Sequence, residues 1–141
     1  MVAVVKSAEI LSRLEEWSRT RPLQLVVLFG SQATGMTHAH SDVDVAVWPL
    51  GAVEPLMKLT WLAELERLLD HDVSLVIVTA DLDPVLGMEI VRHGRVIYEA
   101  QPELWSGKRL HLWHVYNDSL PFRRALRKQL HEFAEEVRRG S

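Results

Sequence analysis

The hydrophobic pattern of the first fifty residues predicts one helix and two strands. In residues 7–19, large apolar side chains recur at three- and four-residue spacing, which is the helical period, and Ser7 is a plausible N-cap. Residues 23–29 form an almost unbroken apolar run rich in Val and Leu, which is typical of a buried strand. Residues 42–48 begin with alternating Asp and Val, which is the strand period, and predict the second strand.

A loop rich in proline and glycine separates these elements from the next predicted helix and strand. Residues 56–69 have leucines at helical spacing, and these leucines predict a buried stripe on one face of a helix. The stripe consists of Leu59, Leu62, Leu65, Leu68 and Leu69. The third strand is predicted over residues 72–78.

The remaining pattern adds helices and one more strand. A helix is predicted from the Asp83-Pro84 pair to about His93, and residues 95–98 form a short fourth strand. From residue 103 onward the pattern is helical, with an interruption near Pro121. The predicted fold is therefore α/β, with a small mixed sheet flanked by helices and a C-terminal helical tail.

Composition limits the classes of protein that need to be considered. The chain has 141 residues, enough for one domain with a core, and its net charge of -3 gives no overall basic field for binding nucleic acid. Cysteine is absent, which removes disulfides, thiolate metal sites and thiol catalysis. There is no signal-peptide core near residue 1 and no apolar run of about 20 residues that could span a membrane. We expect a soluble, cytoplasmic protein.

The first candidate for chemistry is the turn after the first predicted strand. Gly30 lets the backbone bend sharply, because a residue without Cβ can adopt positive φ. Ser31 follows at the start of a short helix or nest, where its hydroxyl and nearby N–H groups can bind anionic oxygens. Gly35 offers a place for that short segment to end. The turn is therefore a candidate phosphate-binding site.

The second candidate is a pair of carboxylates at the start of the second strand. Asp42 and Asp44 point to the same side of a strand and are roughly 6.5–7 Å apart along it. Such a pair can share a divalent cation, and Mg²⁺ fills its other positions with water and substrate phosphate oxygens. The glycine turn alone is a common turn, and the aspartate pair alone can be a polar strand face. Together, the two features favour a site for a nucleotide triphosphate and its metal.

These residues resemble the signature of the DNA polymerase beta-like nucleotidyltransferases. Gly30-Ser31, Gly35 and the segment from Ser41 to Val47 carry the resemblance, and the short length is similar to the minimal (MNT) branch. The resemblance implies an MNT domain over residues 1–100. It leaves residues 101–141 as a helical extension that packs on the same domain or docks a partner.

The resemblance also implies a function. MNT proteins pair with HEPN-domain RNase toxins, and the well-understood members are antitoxins that transfer AMP from ATP to a tyrosine of the toxin. Asp42 and Asp44 would then bind Mg²⁺ and act in catalysis, and Gly30, Ser31 and Ser41 would bind the nucleotide. The expected partners are ATP and a HEPN toxin in a hetero-oligomer, without direct binding to nucleic acid or membrane.

One position departs from the family pattern. Active relatives usually carry a third carboxylate on a later strand, where this chain has Ser74 within Val73-Ser74-Leu75-Val76. Asp72, two residues earlier, should project from the same face. It either replaces the missing acid in catalysis or is an ordinary residue at the start of a strand. Three functions therefore compete: an adenylyltransferase antitoxin, a binding-only antitoxin, and nucleotidyl transfer to a small molecule.

The tail contains bulky apolar side chains between residues 104 and 116, followed by a basic and then an acidic segment. These features fit either a helix folded back on the domain or an exposed patch that docks a partner. Arg109, His114 and Tyr116 match the Arg-x4-His-x-Tyr pattern of HEPN RNases, which we interpret as coincidence because too few residues remain for a helical bundle. The histidine pairs at 38/40 and 111/114 lack the full ligand set of a zinc site.

Overall fold

A four-stranded mixed sheet forms the centre of the fold. The structure, a computed structural model, describes residues 8–30 and 42–140. The strands are β1 (Leu23–Phe29), β2 (Val43–Pro49), β3 (Val73–Ile77) and β4 (Arg95–Glu99), arranged in the order β3-β2-β1-β4. β1 pairs antiparallel with both β2 and β4, whereas β2 and β3 are parallel. The predicted mixed sheet is confirmed.

Five helices are present in the described part of the chain. They are α1 (Ala8–Arg19), α2 (Pro55–Leu69), α3 (Pro84–His93), α4 (Leu104–Asp118) and α5 (Leu120–Arg139). Pro121, where the sequence predicts an interruption, lies in the first turn of α5 instead, because the first helical turn needs no amide donor there. Pro84 begins α3 as predicted, and Pro55, which the sequence places in a loop, begins α2. Asp83 caps α3 by accepting a hydrogen bond from the Val85 amide at 2.9 Å.

The sheet separates two hydrophobic clusters, because successive side chains of each strand alternate between its faces. On one face, the odd-numbered positions of β2 and β3 pack against α1 and α2 around Leu14, Trp61 and Leu65. On the other face, Ala46 and Trp48 of β2 pack against α3 and α4 around Ile90, Trp105 and Leu112. The second face is the one that carries the candidate site.

The predicted leucine stripe of α2 is wrong at one position. Leu65 and Leu69 are buried, and Leu62 and Leu68 pack partly against the same cluster, whereas Leu59 is 61% exposed. Trp61 occupies the core instead, with its ring edge-to-face against Trp17 at a centroid distance of 6.4 Å. The larger indole buries more apolar area than a leucine, and this determines which side of the helix faces the sheet.

The two tail helices differ in how they join the domain. In α4, Trp105 and Leu112 are buried against α3 and the sheet, and Trp113 faces outward. α5 has no buried residue and contacts the rest of the described structure mainly through α4. Arg123 holds the corner between them, with its guanidinium 3.9 Å from the Tyr116 ring centroid and a 3.0 Å hydrogen bond to the Tyr116 carbonyl. The division of the chain at residue 100 stays a prediction.

Candidate active site

The turn after β1 lies directly against a carboxylate of β2. Gly30 has φ +74°, the left-handed conformation that favours glycine, as the sequence predicts. A Cβ added at Gly30 would overlap Asp44 Oδ2 and lie 3.1 Å from Asp44 Cγ. The antiparallel pairing of β1 and β2 produces this approach, because Phe29 is the register partner of Asp44. The bend and the carboxylate therefore form one local site.

Asp44 lies on the α3 and α4 face of the sheet. Ala46 and Trp48, two and four residues further along β2, belong to the cluster on that face. Asp44 begins the same row at the open end of the strand, where it is partly exposed. Asp42 precedes β2 and is exposed.

The two carboxyl groups interact electrostatically. The pKa of Asp44 is raised above its usual value, first because burial disfavours the charged form and second because the negative charge of Asp42 lies nearby. A divalent cation would relieve both effects, since it replaces lost hydration and offsets the repulsion between the carboxylates. The oxygen donors and their mutual repulsion fit Mg²⁺.

Ser74 lies beside Asp44 on the neighbouring strand. The parallel register of β2 and β3 makes Asp44 and Ser74 direct partners, and Val76 and Val78 place this row of β3 on the α3 and α4 face. An acidic residue at position 74 would therefore lie next to Asp44. The chain has a neutral hydroxyl in that place.

Asp72 lies at the same edge of the sheet but outside β3. It is exposed, and its main-chain carbonyl accepts a hydrogen bond from the Val43 amide at 2.9 Å. Within residues 8–30 and 42–140, no three His, Asp or Glu side chains form a group that could hold a metal ion. Asp72 thus does not complete a three-carboxylate metal set with Asp42 and Asp44, and its role in catalysis stays a prediction.

A triphosphate bound at this site needs a nearby positive charge, and the candidate residues are Lys58, Arg67, Arg92 and Arg95. Lys58 and Arg67 belong to α2, which packs on the face opposite Asp44. Arg95 begins β4 opposite Leu28 and lines a surface cavity with α1 residues, so it also belongs to the opposite side. Arg92 lies in the last turn of α3, on the Asp44 face, with its guanidinium 6.0 Å from the Tyr116 ring centroid.

Several residues that the sequence singled out lie outside the described residues. They are Ser31, Gly35, His38, His40 and Ser41. The sequence could not predict that Asp44 and Ser74 are register partners, or that Arg92 lies on the Asp44 face of the sheet. Both depend on the tertiary arrangement of strands and helices around the sheet.

Comparison with known proteins places this site in a known family. The family described as polymerase beta nucleotidyltransferase matches residues 13–103, which include the Gly30 turn and both aspartates. The chain is 31% identical over 93 residues to the protein adenylyltransferase MntA of Shewanella oneidensis. That alignment covers 64% of this chain and 66% of MntA, so the matched part spans just under two thirds of that relative.

Solved structures share the fold. A toxin-antitoxin crystal structure with AMP-PNP has a TM-score of 0.73 and 24% identity, over 87% of this chain and 97% of that one. An MNT antitoxin in complex with the tri-AMPylated HEPN toxin of Shewanella oneidensis has a TM-score of 0.71 and 22% identity, over 87% and 97%. An MntA-HepT toxin-antitoxin structure has a TM-score of 0.72 and 21% identity, over 89% of this chain and 99% of that one.

Among the helices that the structure describes, none combines the length and the hydrophobicity of a membrane span.

Proposed function

Since this chain belongs to the polymerase beta nucleotidyltransferase family, we propose that it is the antitoxin of a HEPN/MNT pair. The proposed reaction is Mg²⁺-dependent transfer of AMP from ATP to a tyrosine of the toxin. The observation that carries the proposal is the contact of the Gly30 turn with the Asp44 carboxylate, since a phosphate-binding bend and a metal-binding acid must be adjacent to act on one triphosphate. The relative named protein adenylyltransferase MntA supports the choice of reaction.

The residues divide the work between binding and chemistry. Asp42 and Asp44 would hold Mg²⁺, while Gly30 with Ser31 and Ser41 would bind the phosphates. The metal, when bound, neutralises charge on the triphosphate and on the leaving pyrophosphate. The tyrosine oxygen forms a bond to the α-phosphorus, the bond from that phosphorus to the β-phosphate bridging oxygen breaks, and pyrophosphate leaves with the electron pair. Asp72 is proposed to take the tyrosine proton, in the cytoplasm where ATP is available.

A direct test is to incubate the protein with ATP, Mg²⁺ and the HEPN toxin encoded beside it, and to weigh the toxin by mass spectrometry. We expect a mass increase of one or more AMP units, which disappears for Asp42→Ala and Asp44→Ala. Asp81→Ala is the matched control, because Asp81 is an exposed aspartate beyond the opposite end of β3 and should leave the transfer unchanged. Neutralisation of the toxin by both active-site variants, with no mass increment for the natural protein, would contradict the proposal.

A second candidate, the binding-only antitoxin, rests on Ser74. The register places its hydroxyl beside Asp44, where active relatives are expected to carry an acid. This candidate predicts a stoichiometric complex that neutralises the toxin without nucleotide. Ser74→Asp should then create or raise AMP transfer, whereas Ser74→Asn, of similar size but uncharged, should not. If the natural chain already transfers AMP rapidly and Ser74→Asp has no effect, the binding-only function is excluded.

A further inference from the structure

Two cavities meet on one face of α4. The first, which we call the loop cavity, has a volume of about 440 Å³ and lies between α4 and residues 101–103. The second, which we call the sheet cavity, has a volume of about 270 Å³ and lies between α4 and the ends of β2 and β3. Lys108 and His111 line both cavities, so these two side chains lie where the cavities adjoin.

The sheet cavity lies at the opposite end of the sheet from the candidate active site. Trp48 and Pro49, which line it, end β2, whereas Asp44 lies near the start of that strand. At about 3.3 Å per residue, the four residues from Asp44 to Trp48 span roughly 13 Å. Neither Gly30 nor Asp42 is among the residues that line the cavity. A ligand there would therefore occupy a site separate from the proposed triphosphate site.

Lys108 supplies the positive charge of the sheet cavity, and this charge is not paired. The Lys108 side chain is partly buried. Every Asp and Glu of the chain lies within residues 8–30 and 42–140, yet the Lys108 ammonium group forms no ion pair or hydrogen bond with any residue in those ranges. Glu103 lines the loop cavity but not the sheet cavity. Because partial burial removes hydration from an ammonium group, an anion beside Lys108 is favoured.

Two further side chains place hydrogen-bond donors in the same cavity. Gln24 donates one amide proton to the Pro49 carbonyl at 2.9 Å, and no described residue takes its second amide proton. The Thr79 hydroxyl accepts a hydrogen bond from the Asp81 amide at 3.3 Å, and its own proton is not used by any described residue. The rest of the wall is apolar and consists of Trp48, Pro49, Val78, Ala80, Leu82, Leu112 and Val115. The sheet cavity thus combines a cation and hydrogen-bond donors with a wall for an apolar group.

We propose that the sheet cavity is a binding site for a small amphipathic monocarboxylate. The carboxylate accepts a hydrogen bond from the Lys108 ammonium group, and the apolar body packs against Leu112 and Val115. Ligand pockets usually have volumes of about 300–1,000 Å³, so this cavity suits a compact molecule such as a two-ring aromatic acid. A monoanion is favoured over a dianion, because Lys108 is the one lysine or arginine among the described residues that line the cavity, and Glu103 lies in the adjoining one. The proposal does not depend on the proposed function.

The first experiment compares two ligands of the same shape that differ in charge. 2-Naphthoate carries a carboxylate, and 2-naphthylmethanol is its neutral counterpart. Calorimetric titration of the full chain should show one 2-naphthoate per chain and an affinity at least about tenfold higher than that of the alcohol, since a charge-assisted hydrogen bond is stronger than a neutral one. Equal affinities for the two ligands, or no binding of 2-naphthoate at millimolar concentration, would overturn the proposal.

Substitution of Lys108 tests the proposed anchor. Lys108→Met removes the charge and keeps an unbranched side chain, so it should weaken 2-naphthoate binding about tenfold and leave the affinity for the alcohol unchanged. Lys128→Met is the matched control, because it removes the same charge from an exposed position on α5 that lines neither cavity. An unchanged Tm of both variants verifies that they remain folded. If the two variants bind 2-naphthoate equally well, Lys108 is not the anchor and the proposal is wrong.

Methyl NMR spectroscopy locates the bound ligand. 2-Naphthoate should shift the methyl signals of Leu112 and Val115, which line the sheet cavity. The methyl signals of Leu130 should stay unchanged, and this residue controls for adventitious binding to apolar surface because it is 60% exposed on α5. Shifts at Leu130 without shifts at Leu112 and Val115 would place the ligand on α5 and contradict the proposed site. None of these measurements uses AMP transfer, so their failure would leave the proposed function untouched.

Discussion

The substitution Gly30→Ala isolates the contact on which the candidate site depends. Gly30 has φ +74°, and the methyl group would overlap Asp44 Oδ2. The change therefore acts in two ways: it imposes left-handed backbone on a residue with a Cβ, and it displaces the carboxylate proposed to hold the metal.

The expected cost follows from these two effects. A left-handed conformation costs an L-residue about 1–2 kcal/mol. Moving the Asp44 side chain away from its preferred rotamer costs about 0.5–1.5 kcal/mol more. We expect Gly30→Ala to lower the free energy of unfolding by about 1.5–3.5 kcal/mol, and Tm by about 6–14 °C for a chain of this length.

Thermal and denaturant unfolding measure this effect, with Gly51→Ala as the control. Gly51 lies in the loop after β2 and a Cβ there would meet no atom within 4 Å, so its substitution should change stability little. Because Asp44 is proposed to hold the metal, its displacement should also slow the proposed AMP transfer by about 10²-fold, while Gly51→Ala retains the natural rate.

A double-mutant cycle separates the two effects. In an Asp44→Ala background the overlapping oxygen is gone and only the backbone cost of about 1–2 kcal/mol should remain for Gly30→Ala. If Gly30→Ala costs the same with and without the Asp44 side chain, the proposed contact between the turn and the carboxylate is refuted.

Three further predictions concern other parts of the molecule. Folding raises the pKa of Asp44 above 3.8, so the folded protein binds this proton more tightly than the unfolded chain does. The free energy of unfolding therefore falls as the pH rises from 3.8 through the higher pKa of the folded state. At pH 7 without metal, Asp44→Asn should therefore unfold at a higher temperature than the natural chain, and below pH 3.8 this difference should disappear. If the variant and the natural chain have the same Tm at both pH values, the burial of Asp44 and its repulsion by Asp42 are contradicted. Gly107→Ala, inside α4 with open space around the new methyl, should raise the free energy of unfolding by about 0.5–1 kcal/mol, measured by denaturant unfolding. Leu65→Ala should lower that free energy by about 2–5 kcal/mol while Leu59→Ala changes it by less than about 0.5 kcal/mol, and a similar loss for both would mean that Leu59 is buried, as the sequence predicts.

Local sequence was sufficient to predict most elements and their order. The apolar run of β1, the Asp-Val alternation of β2 and the Asp83 cap before Pro84 are signals that span a few residues, so each could be interpreted without the rest of the chain. The positive φ of Gly30 was predictable for the same reason. In α2, the neighbouring helix α1 decided the packing: Trp17 provides an aromatic partner for Trp61, and this turned Leu59 outward.

What the sequence by itself determined is the presence of a glycine turn after one strand and a pair of aspartates at the start of the next strand, because both depend on local backbone geometry. Only the tertiary structure decided what surrounds them. The parallel register of β2 and β3 places Ser74 beside Asp44. Arg92 lies on the same side of the sheet as Asp44, because α3 packs on that face. The exposed apolar side of α5, which includes Leu130 and Phe133, depends on contacts as well, because an amphipathic helix has the same periodicity whether its apolar face is buried or open to a partner.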